Sequence, residues 1–293
     1  MNDASALRSG KGYRDENFPV ASWLIHRRYR KVILAFYNFL RTADDIADHA
    51  ALPPQQKLSL LARLDAGLTG ASDEESAAVC LRSALAERGL SAKHAQDLLA
   101  AFMLDVTKLR YRNWDDLIGY CALSAMPVGR FVLDVHGESR KTWQANDALC
   151  AALQIINHLQ DCKSDFVNLN RVYVPLDALA ESGVGVEALA EARASPPLLA
   201  CLHKLAERTE GLLSESDVFP VLVNDWRLAL EISVINTLAH RLTGILATHD
   251  PLSDRVHLPR AAVARLTIAG ILSGVSRRRR RRAVTGAQRP RGA

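Results

Sequence analysis

The tightest constraint on this chain is a run of acids set directly behind an aromatic helix: Phe36-Tyr37-Asn38-Phe39-Leu40-Arg41-Thr42-Ala43-Asp44-Asp45-Ile46-Ala47-Asp48. On a helix, Asp44 and Asp48 stand one turn apart, and Asp45 lies about 100° around from Asp44. Carboxylates placed this way repel unless solvent or a cation lies between them. A hard cation such as Mg²⁺ accepts one or two carboxylates and completes its octahedron with water and substrate phosphate. Arg41 precedes Asp44 by three residues and Asp45 by four, so it can pair with either or reach a phosphate oxygen. For this string alone, a charged helix end and a metal site are evenly matched.

A second acidic pair shifts that balance. In Gln154-Ile155-Ile156-Asn157-His158-Leu159-Gln160-Asp161-Cys162-Lys163-Ser164-Asp165, Asp161 and Asp165 are one turn apart, and Gln154, Asn157 and Asp161 share a face. Two helices that each carry acids at i, i+4 can face each other across a bundle core, where metal and cofactor sites are built.

The remainder of the chain suits a bundle. Its 293 residues are 48% hydrophobic, rich in alanine and leucine, and show no regular period-2 alternation, so the prediction is a nearly all-helical protein. After a flexible leader at 1–16, helices are expected from Phe18 to Asp48, over 55–69 and 74–88, and from a cap at Ser91. Further helices are expected from an Asn113 cap over Trp114 to Val135, from Thr142 to Asp165, and over 196–217, 219–248 and 259–275. Pro127, flanked by small residues, should kink the 114–135 helix. The kink either makes room for a long apolar ligand or is merely structural.

Asp105 falls on the apolar seam of its helix, with Leu98, Phe102 and Leu109. It either pairs with Lys108 or Arg110 at the seam edge or looks into a cavity. Asp225 and Glu231 are adequately explained by a solvated face. Gly183-Val184-Gly185-Val186-Glu187-Ala188 imitates a dinucleotide fingerprint, but it follows a helical segment and lacks the strand the phosphate cradle needs. His158 and Cys162, four apart, have too few companions for a zinc site.

The net charge of +5 belongs to one end. Eight arginines and no acid lie from Arg277 onward, and without them the chain carries −3. The run Arg277 to Arg282 is expected to open a disordered basic tail, 277–293, drawn to anionic lipid headgroups. No nucleic-acid fold precedes it, so nucleic acid is not expected as a partner. Five cysteines without a CxxC pair, and a polar N-terminus, suggest free thiols in a reducing, cytoplasmic setting, peripheral at the inner face of the cell membrane where the tail meets lipid. No apolar run reaches spanning length; Ala261 to Val275 comes nearest but contains Arg265.

Several short patterns now line up in one order: Asn17-Phe18, Tyr37-x-x-x-Arg41-x-x-Asp44-Asp45-x-x-Asp48, Arg110-Tyr111, Tyr120-Cys121 with Val128-Gly129, Gln154-x-x-Asn157-x-x-x-Asp161-x-x-x-Asp165, and Arg171-x-Tyr173-x-Pro175. Together they span about residues 14–250, and the chain resembles the squalene/phytoene synthase family. Glu16 to Ser22, Thr42 to Asp48, Ser124 to Arg130 and His158 to Asp161 resemble the bacterial hydroxysqualene synthase branch of hopanoid biosynthesis in particular.

The resemblance implies an all-α, single-domain isoprenoid (terpenoid) synthase bundle over 17–276 with a central cavity. It implies Mg²⁺ held by Asp44, Asp48, Asp161 and Asp165, with Asp45 behind them. It implies a diphosphate contacted by Arg41, Arg171, Tyr37, Tyr173 and Asn17, and an apolar wall of Phe36, Phe102 and Phe131. Tyr120, Asn157 and Gln154 are expected to guide the cation or water. In that branch presqualene diphosphate loses diphosphate and water captures the rearranged cation; other hopanoid-pathway enzymes would be neighbours. Two positions depart from the family pattern. Gln160 stands where arginine is usual and Ser164 where glutamate is usual, which favours one already joined substrate over condensation of two farnesyl diphosphates. The alternatives are a squalene, presqualene diphosphate or phytoene synthase, a non-catalytic binding or assembly relative, and a purely structural bundle.

Overall fold

The structure, a computed structural model, describes residues 26–287, with side chains as far as Arg277. Helix α1 (Arg27–Asp48) is amphipathic and buries Val32, Ile33, Phe36, Phe39, Ala43 and Ile46. It starts at Arg27, behind an extended His26 whose Nδ1 accepts the Arg28 N–H. The earlier residues of the expected helix, and Asn17, lie outside the described residues. Helices α2 (Pro54–Thr69), α3 (Ser76–Ala86) and α4 (Lys93–Thr107) pack with α1 into one core, to which Phe131 and Val135 also belong. Ser91 takes the Lys93 N–H at the start of α4.

The expected 114–135 helix is two helices, α5 (Trp114–Ser124) and α6 (Met126–His136), parted at Ala125 with φ −130° and ψ −49°. Pro127 has no N–H to offer the carbonyl one turn back, and it is tolerated in the first turn of a new helix. Asn113 caps α5 as expected, its side chain accepting the Asp116 N–H. Contrary to expectation, Trp114–His136 has the length and apolarity of a membrane span. Its two halves instead pack against α4 and α7.

Helix α7 (Trp143–Leu169) carries the second acidic pair and ends at Asn170, whose φ of 54° lets the chain turn sharply. The next residues run extended beside 109–111: Val172 N–H donates to Leu109 O at 2.9 Å, and Arg110 and Val172 form an isolated parallel bridge. No strand occurs among the described residues. Helix α8 (Leu176–Glu181) follows, and the glycine-rich 183–188 segment leads into a 3-10 turn, so no phosphate cradle forms there.

Helices α9 (Pro196–Ser216), α10 (Phe219–Leu222) and α11 (Trp226–Leu246) complete a second core with α5 and α7. The expected 219–248 helix is broken because Asp225 caps α11, its carboxylate accepting the Arg227 and Leu228 N–H groups. Glu231 is 4% exposed, so the solvated-face reading fails for it. Helix α12 (Arg260–Ala287) packs on α11 and does not stop at Val275. It runs through all six arginines, where a disordered tail was expected; arginine is a strong helix former, and no proline intervenes.

A candidate diphosphate-binding active site

The seam between the two cores holds two adjoining cavities. The first, about 210 Å³, is polar. Helix α1 contributes Asp44 and Asp48 to it, α4 contributes Phe102 and Asp105, and α5 contributes Tyr120. Helix α7 adds Gln154, Asn157, His158, Asp161 and Asp165, and the extended link adds Arg171 and Tyr173. The i, i+4 spacing read from sequence thus does bring acids from two helices to one chamber.

The second cavity, about 420 Å³, is apolar. Phe36 and Phe131, stacked on each other with ring centroids 3.7 Å apart, form part of its wall, and Leu149, Leu153 and Ile232 continue it. Asp44 and Phe102 line both chambers. Tyr37 and Arg41 line the apolar one beside Asp44, and Glu231 is a carboxylate in its wall. A site with acids at one end and hydrocarbon at the other fits a ligand built the same way, charged at its head and apolar along its tail.

The acids differ in their surroundings. Arg41 donates to Asp44 at 2.8 Å and to Asp45 at 2.9 Å. Asp45 is 7% exposed and lines neither cavity. Asp48 is held by Arg171 Nη1 at 2.6 Å. Arg171 also donates to the Ala47 carbonyl, at 3.1 Å, and the Asp105 carbonyl, at 3.0 Å. Lys57 Nζ also donates to Ala47 O, at 2.8 Å. Two cations therefore cap the C-terminal end of α1, where the helix dipole favours them. Arg171, expected on the diphosphate, here ties α1 to α4.

Asp105 looks into the polar cavity, and its expected seam-edge partners, Lys108 and Arg110, point elsewhere, to Asp116 and Asn170. It accepts hydrogen bonds from the Tyr173 hydroxyl at 2.8 Å and the Tyr120 hydroxyl at 3.0 Å. Burial pushes its carboxyl above the ordinary range, against the pull of Arg171 and the two phenols. Burial, and then Asp105, hold the Tyr120 and Tyr173 phenols well above theirs, so both stay protonated donors. Tyr173 was expected to reach the diphosphate; its hydroxyl is instead committed to Asp105.

His158 was weighed from sequence only as a zinc ligand. It is buried in the polar cavity, stacked on Tyr173 with centroids 3.5 Å apart and within 3.1 Å of Gln154 Nε2. Its position one turn after Gln154, on the acidic face of α7, was the available signal. Cys162, its supposed co-ligand, is buried, and burial pushes its thiol up to about 12. Gln160 and Ser164 line neither cavity: Gln160 Nε2 turns to the Val256 carbonyl, and Ser164 Oγ donates to Asp161 O at 2.9 Å. Their identities therefore do not change the polar lining and do not discriminate between one joined substrate and condensation of two.

The donor set suits a hard cation, since the carboxylates supply oxygen alone. Among the described residues no three carboxylates, imidazoles or thiolates converge on one point. Mg²⁺ is usually bound through one or two carboxylates with substrate phosphate, and Asp44 and Asp48 on one helix and Asp161 and Asp165 on another present carboxylates in such pairs.

Comparison with known proteins agrees with this anatomy. A model of the squalene/phytoene synthase family matches residues 12–262. The hydroxysqualene synthase of Rhodopseudomonas palustris is 59% identical over 258 residues, 88% of each chain. That of Zymomonas mobilis is 50% identical over 257 residues, 87% of this chain and 86% of its own. Among solved structures, a squalene synthase from Alicyclobacillus acidocaldarius superposes with a TM-score of 0.70 at 29% identity, covering 83% of this chain and 91% of its own. A dehydrosqualene synthase shares the fold at a TM-score of 0.77 and 21% identity, covering 94% and 97%.

Proposed function

Since the chain belongs to the squalene/phytoene synthase family and is an isoprenoid synthase, we propose that it converts presqualene diphosphate to hydroxysqualene with release of diphosphate. The observation that carries this reading is the join of the two chambers at Asp44 and Phe102. A diphosphate in the polar chamber leaves its hydrocarbon to enter the apolar one.

Asp44 and Asp48 on one side, and Asp161 and Asp165 on the other, would hold Mg²⁺, which neutralises diphosphate and makes it a competent leaving group. Arg41, already beside Asp44, orients the diphosphate at the mouth of the apolar chamber. Departure of diphosphate leaves a cyclopropylcarbinyl cation among aromatic faces. Phe36, Phe131 and Phe102 present such faces, each worth roughly 0.5–2 kcal/mol to a cation. The apolar wall also excludes bulk water, so rearrangement precedes capture. Asn157, Gln154 and His158 share the polar chamber and hydrogen-bond the water that ends the reaction, whose oxygen joins the cation and whose proton passes to the released diphosphate. Tyr120, kept as a phenol by burial and then by its partner Asp105, offers a neutral face rather than a base.

Head-to-head condensation of two farnesyl diphosphates is the second reading, with which the outward turn of Gln160 and Ser164 is equally compatible. Incubation of the purified protein and Mg²⁺ with each substrate, followed by mass spectrometry of the products, separates the two. Hydroxysqualene from presqualene diphosphate supports the proposal. Condensation of farnesyl diphosphate without turnover of presqualene diphosphate replaces it with the second reading, and inertness toward both points to a non-catalytic relative.

A further inference from the structure

Helix α12 carries an unusual outer face. Ile268, Leu272 and Val275 follow at i, i+4 and i+7, and the first two are 61% and 64% exposed. The outer face of a packed helix is ordinarily polar, yet α12 contains no acid anywhere along Arg260–Ala287. The stripe is not isolated. A Cβ on Gly270 would lie 2.8 Å from Val234 Cα, and one on Gly274 3.0 Å from Leu230 Cδ2, so α12 runs antiparallel to α11 in close contact. Continuing that register by one turn brings Trp226, 56% exposed, level with Arg278. Arg277 also pairs with Asp217 at 3.3 Å, which sets exposed Val218 and Leu222 beside the same end.

Apolar stripe, exposed Trp226 and the helix turns that carry the arginine run thus lie along the same helix pair. Carried onward, the i, i+4, i+7 spacing from Val275 falls at Arg279 and Arg282. A helix with a lipid-compatible face beside a cationic end, and tryptophan at the boundary, is the pattern of a segment lying in a bilayer interface. We propose that this face of α12, α10 and the start of α11 docks on an anionic lipid surface. Ile268, Leu272 and Trp226 enter the headgroup boundary there, and the Arg277–Arg282 run meets the anionic headgroups. Charge selects lipid over a second copy of the chain, whose identical arginines would face these across a two-fold contact. The inference stands whichever prenyl diphosphate reaction the site performs.

The test uses the full chain and sucrose-loaded vesicles of phosphatidylcholine, with or without an equal share of phosphatidylglycerol. Wild-type protein is expected to sediment with the anionic vesicles only, and less as salt is raised. An Ile268→Asp/Leu272→Asp variant, which keeps every arginine, is expected to bind them at least about tenfold more weakly while retaining turnover in detergent. Trp226 emission should shift to the blue on vesicle addition, as judged against Trp226→Phe. Equal binding by the variant would assign attraction to the arginines alone and overturn the docking face. Absence of vesicle binding, with a wild-type dimer that the variant dissolves, would hand the face to a second copy.

Discussion

Arg171 donates to Asp48 at 2.6 Å, so the residue just after the second acidic helix grips the last acid of the first. The same guanidinium holds the carbonyls of Ala47 and Asp105, and the side chain is buried. One side chain therefore fixes how the α1 terminus, α4 and the extended link meet around the polar chamber.

Arg171→Ala should cost about 3 kcal/mol, because hydrogen bonds to a carboxylate and to buried carbonyls are lost together. Arg171→Lys should recover less than half of this, since an ammonium cannot span three acceptors held in a plane by a guanidinium fork. Denaturant unfolding measures both. Equal stability of the Lys variant and wild type would mean that charge, not the fork, is what matters.

Asp105 makes stability depend on pH in a stated direction. Its folded-state pKa lies above the ordinary value of 3.8, so between those two values the native state binds more protons than the unfolded chain. Stability contributed at this site therefore falls as pH rises through that window and is level below it. The stability difference between wild type and Asp105→Asn should decline in the same window, measured by unfolding at a series of pH values. A difference that grows with pH would mean that Arg171 and the two tyrosines outweigh burial.

Much of this arrangement was readable from the chain because its signals are local. The i, i+4 acids, the Asn113 cap and the helical periods of α2, α3 and α7 each depend on residues within a turn or two. The split at Ala125 was half visible: Pro127 announced a disturbance, but whether it bends or breaks a helix depends on packing. The partners of Asp105 were not readable, as Tyr120, Tyr173 and Arg171 come from 15, 68 and 66 residues away. Nor was the partner of Gln160, the Val256 carbonyl, which comes from 96 residues away. Burial of Glu231 is decided by α11 facing the apolar chamber.

The adjacent acids Asp44 and Asp45 should separate cleanly by mutation. Asp44 lines both chambers, so Asp44→Asn should lower kcat roughly 10²-fold or more while changing stability by less than about 1 kcal/mol. Asp45 is buried against Arg41, so Asp45→Asn should cost about 1–3 kcal/mol of stability and less activity. A reading independent of turnover is the rise in Tm when Mg²⁺ and inorganic diphosphate are added. Asp44→Asn/Asp161→Asn should abolish that rise, and Asp45→Asn should keep most of it. The reverse pattern would move the metal site from Asp44 to Asp45.

Gly129 lies where α6 comes nearest α7, at the wall of the apolar chamber. A Cβ there would collide with Asn146 Oδ1 and sit 2.7 Å from Cys150 Sγ. Asn146 is 1% exposed and directs its amide to Met126 O at 3.4 Å and Asp147 Oδ1 at 3.1 Å, so it has little freedom to retreat. Gly129→Ala should therefore cost about 1–3 kcal/mol by overpacking and lower kcat/KM by narrowing the chamber. Asn146→Ala removes the nearer of the two obstructions and leaves only the Cys150 thiol, so Gly129→Ala should be less costly in that background, a coupling that a double-mutant cycle reads directly. Additive losses would mean that the helices shift apart instead, and the chamber would then keep its volume in the single variant.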